Sequence, residues 1–131
     1  MGLDRHGPWY GWSDCVILDI ADAILRLDGL EIKLILTSHG GILQERQIRP
    51  AWRDSLNHLV QRENKISGLL EKGLSRQQII DQGIFYPHKG RIKEPLKSIL
   101  TMWDKSMVQQ HIDLIKDGGL KYFFPELKNF E

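Results

Sequence analysis

The stretch Ile32-Lys33-Leu34-Ile35-Leu36-Thr37-Ser38-His39-Gly40-Gly41 decides how this chain is read. Its first six residues are mostly aliphatic, too few for an amphipathic helix, and bounded by turn-forming residues, a pattern that predicts a buried strand. The strand releases His39 at its end, and two glycines follow at once. A histidine held on a rigid element with open space beside it suits a metal ligand or a catalytic group. The segment Ser38-His39-Gly40-Gly41 also makes an ordinary polar turn, and spacing by itself does not separate the two readings.

Towards the N-terminus, Gly2-Leu3-Asp4-Arg5-His6-Gly7-Pro8-Trp9-Tyr10-Gly11-Trp12 mixes glycines, a proline and aromatics, which predicts an ordered loop with something to pack against. Ser13 is placed to cap a first helix, in which Ile17, Ile20, Ala21, Ile24 and Leu27 recur at helical spacing until Gly29. Towards the C-terminus, Ile48, Trp52, Leu59, Ile66 and Leu70 mark one face of a long helix from about Gln47 to Lys72, which tolerates Pro50 only in its first turn. Ser75 and Gln78 have the capping-box form and open a short helix through Asp81. A loop over Phe85-Tyr86-Pro87-His88-Lys89-Gly90 follows. Pro95 then starts a last helix carrying Leu96, Leu100, Trp103, Met107 and Leu114 as far as Gly118-Gly119, and the apolar tail Tyr122-Phe123-Phe124-Pro125 is expected to dock back.

The expected fold class is therefore a helix-rich α/β fragment, with about four helices and one or two strands, in one domain spanning residues 1–131. A lone strand leaves two edges unpaired, and each buried unpaired backbone group costs about 1 kcal/mol or more. A second strand or a partner must pair it. The loop ending at Tyr10 is the other local candidate.

Composition removes several function classes. The 18 Lys+Arg and 17 Asp+Glu leave a net charge of +1, too little to draw in nucleic acid or an anionic membrane. A single cysteine, Cys15, excludes an internal disulfide and a cysteine-rich zinc site, sits among apolar residues as a small hydrophobe, and fits a cytoplasmic chain. No apolar run approaches the roughly 18 residues of a membrane span, and no charged-then-apolar leader opens the sequence.

Other chemistry-bearing residues give weaker signals. His6 lies two residues from Asp4 in a loop, a spacing more typical of a surface turn. His111 falls near the apolar stripe of the last helix and is expected to be a core or boundary histidine. His58 and His88 suggest only solvent contact. No phosphate-binding glycine loop, Gly-x-Ser-x-Gly elbow or His-Glu-x-x-His helix occurs. Trp9, Tyr10 and Trp12 could stack on bases or sugars, but without a basic patch beside them packing is the expected role. The arginines of the segment from Arg46 to Arg53 read as a solvated helix face.

Taken in order, the loop from Gly2 to Trp12, the helix, the strand into Ser38-His39-Gly40-Gly41 and the long helix beyond it resemble the C-terminal half of metallo-β-lactamase-fold hydrolases. The segment from Arg62 to Gly73, followed by Leu74-Ser75 and its short helix, is similar to the tail of glyoxalase II-like members. The resemblance implies the second half of an αββα fold, and a two-metal site of zinc or another divalent cation in which His39 matches the last ligand. It implies Tyr10 and Trp12 as substrate-contacting residues beside that site. The family's His-x-His-x-Asp-His, its next metal histidine and its bridging aspartate have no counterpart in this chain, and Asp4 does not match the bridging position.

One imidazole is too few for Zn²⁺, which takes three or four protein ligands, so the chain by itself is expected to be inactive. The partners implied are the N-terminal half of the fold, or further copies of the chain joined through apolar surface. The alternative to a hydrolase portion is a helical, self-associating interaction module without catalytic activity; a small helical regulator unrelated to the family is a third reading.

Overall fold

The computed structural model describes residues 7–37 and 41–130. Helix α1 (Ile17–Asp28) leads to strands β1 (Leu34–Thr37) and β2 (Gly41–Gln44), then to α2 (Glu45–Glu71), α3 (Arg76–Asp81), α4 (Leu96–Lys116) and α5 (Leu120–Phe123). Two 3₁₀ turns, Lys89–Arg91 and Pro125–Asn129, complete the order. At 1.5 Å per residue α2 is about 40 Å long. It is the spine against which α1, α3 and α4 all pack.

The apolar stripes read in the sequence are the ones that meet, except at Leu96, which opens α4 and is exposed. Ile17, Ala21 and Ile24 of α1 close on Ile48, Trp52, Leu56, Leu59 and Val60 of α2, with Met107 and Leu114 of α4 completing one core. A second cluster joins Ile66 of α2 to Ile79 and Ile80 of α3 and to Val108 and Ile112 of α4. Full burial of a side chain of this size contributes about 1.5–3 kcal/mol, so the two clusters carry the fold. The tail does dock back, through the fully buried Leu120 and Leu127, while Tyr122 and Phe123 stay exposed.

The strand differs from expectation in two ways. Its partner is β2, immediately downstream, and not the loop ending at Tyr10. Leu34, Ile35, Leu36 and Thr37 pair antiparallel with Gln44, Leu43, Ile42 and Gly41 respectively. Nor is β1 buried on both faces. Ile35 and Leu43 turn inward onto the first core, whereas Leu34, Leu36 and Ile42 are 54%, 73% and 59% exposed. A hairpin's side chains alternate between faces, and here the outer face has no covering layer among the described residues.

Two helix starts also moved. Pro50 is the sixth residue of α2, in its second turn, because a capping box between Gln44 and Gln47 begins the helix at Glu45. The donor that proline lacks would have served the carbonyl of Arg46, an exposed residue that water can satisfy. Ser13 does not cap α1; the helix begins at Ile17, and its first N–H is taken by a side chain from another helix. The Ser75 and Gln78 capping box forms as read, in both directions.

Candidate functional site

The loop at residues 7–11 lies over the crossing of α2 and α4, and two glycines let it approach. A Cβ on Gly7, at φ +71°, would sit 2.6 Å from His58 Cβ, and one on Gly11 would sit 2.6 Å from the Trp9 ring. The loop thereby delivers Tyr10 into the core, where it is fully buried. Its hydroxyl shares a 2.7 Å hydrogen bond with His111 Nε2. Phe85 meets the Tyr10 ring edge-on at 5.8 Å. The Arg62 guanidinium lies 5.7 Å from the centre of the Tyr10 ring and 4.9 Å from that of Phe85, and donates to the Pro8 carbonyl at 2.7 Å.

Gln110 of α4 ties the same loop to α1. Its Nε2 donates to the carbonyls of Tyr10 and Cys15, both at 3.0 Å, and its Oε1 accepts the Ile17 N–H at 3.0 Å. One amide thus fixes the end of the loop and the first turn of the helix after it.

Burial sets the protonation of this cluster. It pushes the Tyr10 hydroxyl above its ordinary value of 10, partly opposed by the Arg62 charge. Burial, with Arg62 adding to it, lowers His111 to about 3. At neutral pH the pair is a neutral phenol against a neutral imidazole. The pair's hydrogen bond and ring contact fasten the loop to α4. His111 Nδ1 has no hydrogen-bond partner among the described residues.

Trp9, Trp12 and Trp103 form a triangle of edge-to-face contacts, with ring centres 5.2–6.0 Å apart. Trp9 Nε1 donates to the Tyr86 hydroxyl at 2.9 Å. Trp12 is half exposed, so of the two residues the resemblance marks for substrate contact, Trp12 has surface to offer and Tyr10 has none.

His39 itself, with Ser38 and Gly40, lies outside the described residues, as do Asp4 and His6. What is described is its approach. β1 runs to Thr37, whose hydroxyl donates to the Gly41 carbonyl at 2.8 Å. His58 is 3.6 Å from Asp54, and His88 is exposed. Among the described residues no three His, Cys, Asp or Glu side chains converge as a metal site would require. The described donors do not fit a metal.

Two buried carboxylates escaped the sequence reading. Asp104, fully buried, accepts the Phe85 N–H at 3.1 Å and the Lys89 ammonium at 2.7 Å, and Lys89 also donates to the Ile80 carbonyl. Glu63 of α2 accepts the Leu120 N–H with both oxygens, at 3.0 and 2.9 Å, and so holds the first turn of α5. Burial raises the Glu63 pKa above its ordinary value, with the Leu120 hydrogen bond opposing. Their position was the available signal: each carboxylate falls within its helix's apolar stripe, Asp104 four residues after Leu100 and Glu63 four after Leu59. Comparison of the chain with protein-family models, with curated proteins and with solved structures finds no match. No helix among the described residues is long and apolar enough to cross a membrane.

Proposed function

We propose that this chain is the C-terminal portion of a metal-dependent hydrolase of the metallo-β-lactamase superfamily, contributing His39 to a metal site completed by residues from elsewhere and inactive without them. The observation that carries the reading is the hairpin beside His39. Leu36 and Ile42 stand opposite each other on its outer face, Leu34 flanks them, and among the described residues that face is uncovered and β1 and β2 each have one unpaired edge. A second layer of sheet or helix over this face would complete a fold at the point where the resemblance places the metal.

Covering three such side chains yields about 3–6 kcal/mol, comparable with the lower estimates of the entropy lost on association. The partner must therefore also pair with a strand edge or continue the core. Trp12, half exposed, would contact the substrate, and Tyr10, fully buried, would act through the packing of its loop. A second reading rests on the same face: copies of the chain cover one another, forming a non-catalytic module.

Purification of the chain from its source under native conditions, followed by sedimentation and mass spectrometry, tests the proposal. A companion polypeptide bearing His-x-His-x-Asp-His, lost on Leu36→Lys or Ile42→Lys, is the expected result. A homo-oligomer lost on the same substitutions would replace it with the second reading, and indifference to both substitutions would remove the hairpin from either account.

A further inference from the structure

On the far side of the loop at residues 7–11 a cavity of about 300 Å³ opens between the loop, α4 and the segment at residues 85–92. Its walls are apolar and largely aromatic, from Trp9, Phe85, Tyr86, Ile92, Leu100 and Met107. Among the described residues, Arg62, His88 and Lys89 border it beside the Tyr86 hydroxyl, and no carboxylate does. The volume, about ten waters' worth, is at the small end of ligand sites.

The walls are held before any ligand arrives. Trp9 is fixed by the Tyr86 hydroxyl, Phe85 by its N–H on Asp104 and by the Arg62 cation over its face, and Lys89 by Asp104 and the Ile80 carbonyl. An ammonium has three donors, and these two acceptors leave Lys89 with one more, on a side chain only 12% exposed that borders the cavity. The exposed His88 imidazole stands at the rim. Preorganised apolar walls with a few convergent polar groups are the recurring form of a small-molecule site.

We propose that this cavity binds a small monocarboxylate with an aromatic or short aliphatic body, the carboxylate directed to Lys89 and His88 and the body lying among Trp9, Tyr86 and Ile92. The site is independent of the metal reading, since none of its residues approaches the β1–β2 turn in sequence.

Titration of the full chain with 3-phenylpropionate, followed by ¹H–¹⁵N NMR, tests it. The Trp9 indole N–H and the backbone amides of residues 85–92 should shift and saturate at about millimolar ligand, as expected for a fragment-sized molecule, while the Trp52 indole, which does not line the cavity, stays in place. The uncharged analogue 3-phenylpropionamide should bind at least tenfold more weakly. His88→Glu, at an exposed position that leaves folding intact, should weaken the acid at least tenfold by setting a carboxylate at the rim. Equal binding of acid and amide, an unchanged affinity in His88→Glu, or shifts that do not saturate or that spread to Trp52 would each overturn the proposal.

Discussion

Replacing Asp104 by alanine probes the joint between α4 and the loop that precedes it. The carboxylate is fully buried and meets two groups, the Phe85 N–H at 3.1 Å and the Lys89 ammonium at 2.7 Å, with Lys89 itself only 12% exposed. Asp104→Ala leaves a nearly buried cation without its counter-charge and a backbone donor without an acceptor. Breaking a buried pair from one side costs about 3–5 kcal/mol, most of it the penalty of the charge left behind. Against a total stability of about 5–15 kcal/mol for a domain, that is a large share. With a urea dependence of about 2 kcal/mol per molar, the unfolding midpoint should fall by about 2 M. Asp104→Leu combined with Lys89→Met removes both charges and should recover part of the loss, because the one group then left without a partner, the Phe85 N–H, is neutral and worth about 1–3 kcal/mol, while the Ile80 carbonyl keeps the Gly83 N–H. A single variant that loses less than about 1 kcal/mol, or a double variant no more stable than the single one, would refute the assignment of Asp104 as the anchor of this loop.

Further expectations concern the Tyr10 cluster and the tail. His111 titrates lower in the folded chain, about 3, than its ordinary 6.5, so the unfolded chain binds the extra proton first. The stability it contributes is whole above about pH 6.5 and is lost as pH falls towards 3, by about 3 kcal/mol between pH 7 and pH 4.5 at about 1.4 kcal/mol per pH unit. Tyr10→Phe with His111→Leu should remove that part of the acid sensitivity, read as the change in urea midpoint between the two pH values; an unchanged pH dependence counts against a neutral buried imidazole. Glu63→Ala strips the Leu120 N–H of its acceptor and should expose the tail beyond residue 119 to limited proteolysis while α2 and α4 remain protected. Gly11→Ala forces a Cβ to 2.6 Å from the Trp9 ring and should cost about 1–3 kcal/mol with a changed near-ultraviolet circular dichroism, whereas Gly90→Ala, where a Cβ would meet nothing, should be close to neutral.

Features governed by neighbours in sequence were readable. Ser75 and Gln78 are three residues apart and satisfy each other, so the motif predicts its own geometry. The stripes of α2 and α4 name the core because helical periodicity needs only local sequence. The cap of α1 was hidden because Gln110, its donor of an acceptor oxygen, lies 93 residues from Ile17. The strand β2 was hidden because Gly41-Ile42-Leu43-Gln44 is four residues long and runs without a break into a helix, leaving no turn signal at its end. The exposure of β1 could not be read from Leu34 and Leu36, since an aliphatic run looks the same whether both faces are covered or only one. Of the candidate site, the burial of His111 followed from its place on the stripe of α4, while its partner Tyr10 comes from a loop 101 residues away.

The proposal that His39 is one ligand of a shared metal site is tested most directly by metal stoichiometry. The native assembly containing this chain is isolated, its zinc and other divalent metals are measured per complex, and the same is done for His39→Ala. The account predicts two metal ions in the assembly, at least one of them lost in His39→Ala with the assembly intact, and no stoichiometric metal on the chain alone. Unchanged metal content in His39→Ala, or a full complement on the isolated chain, would contradict it.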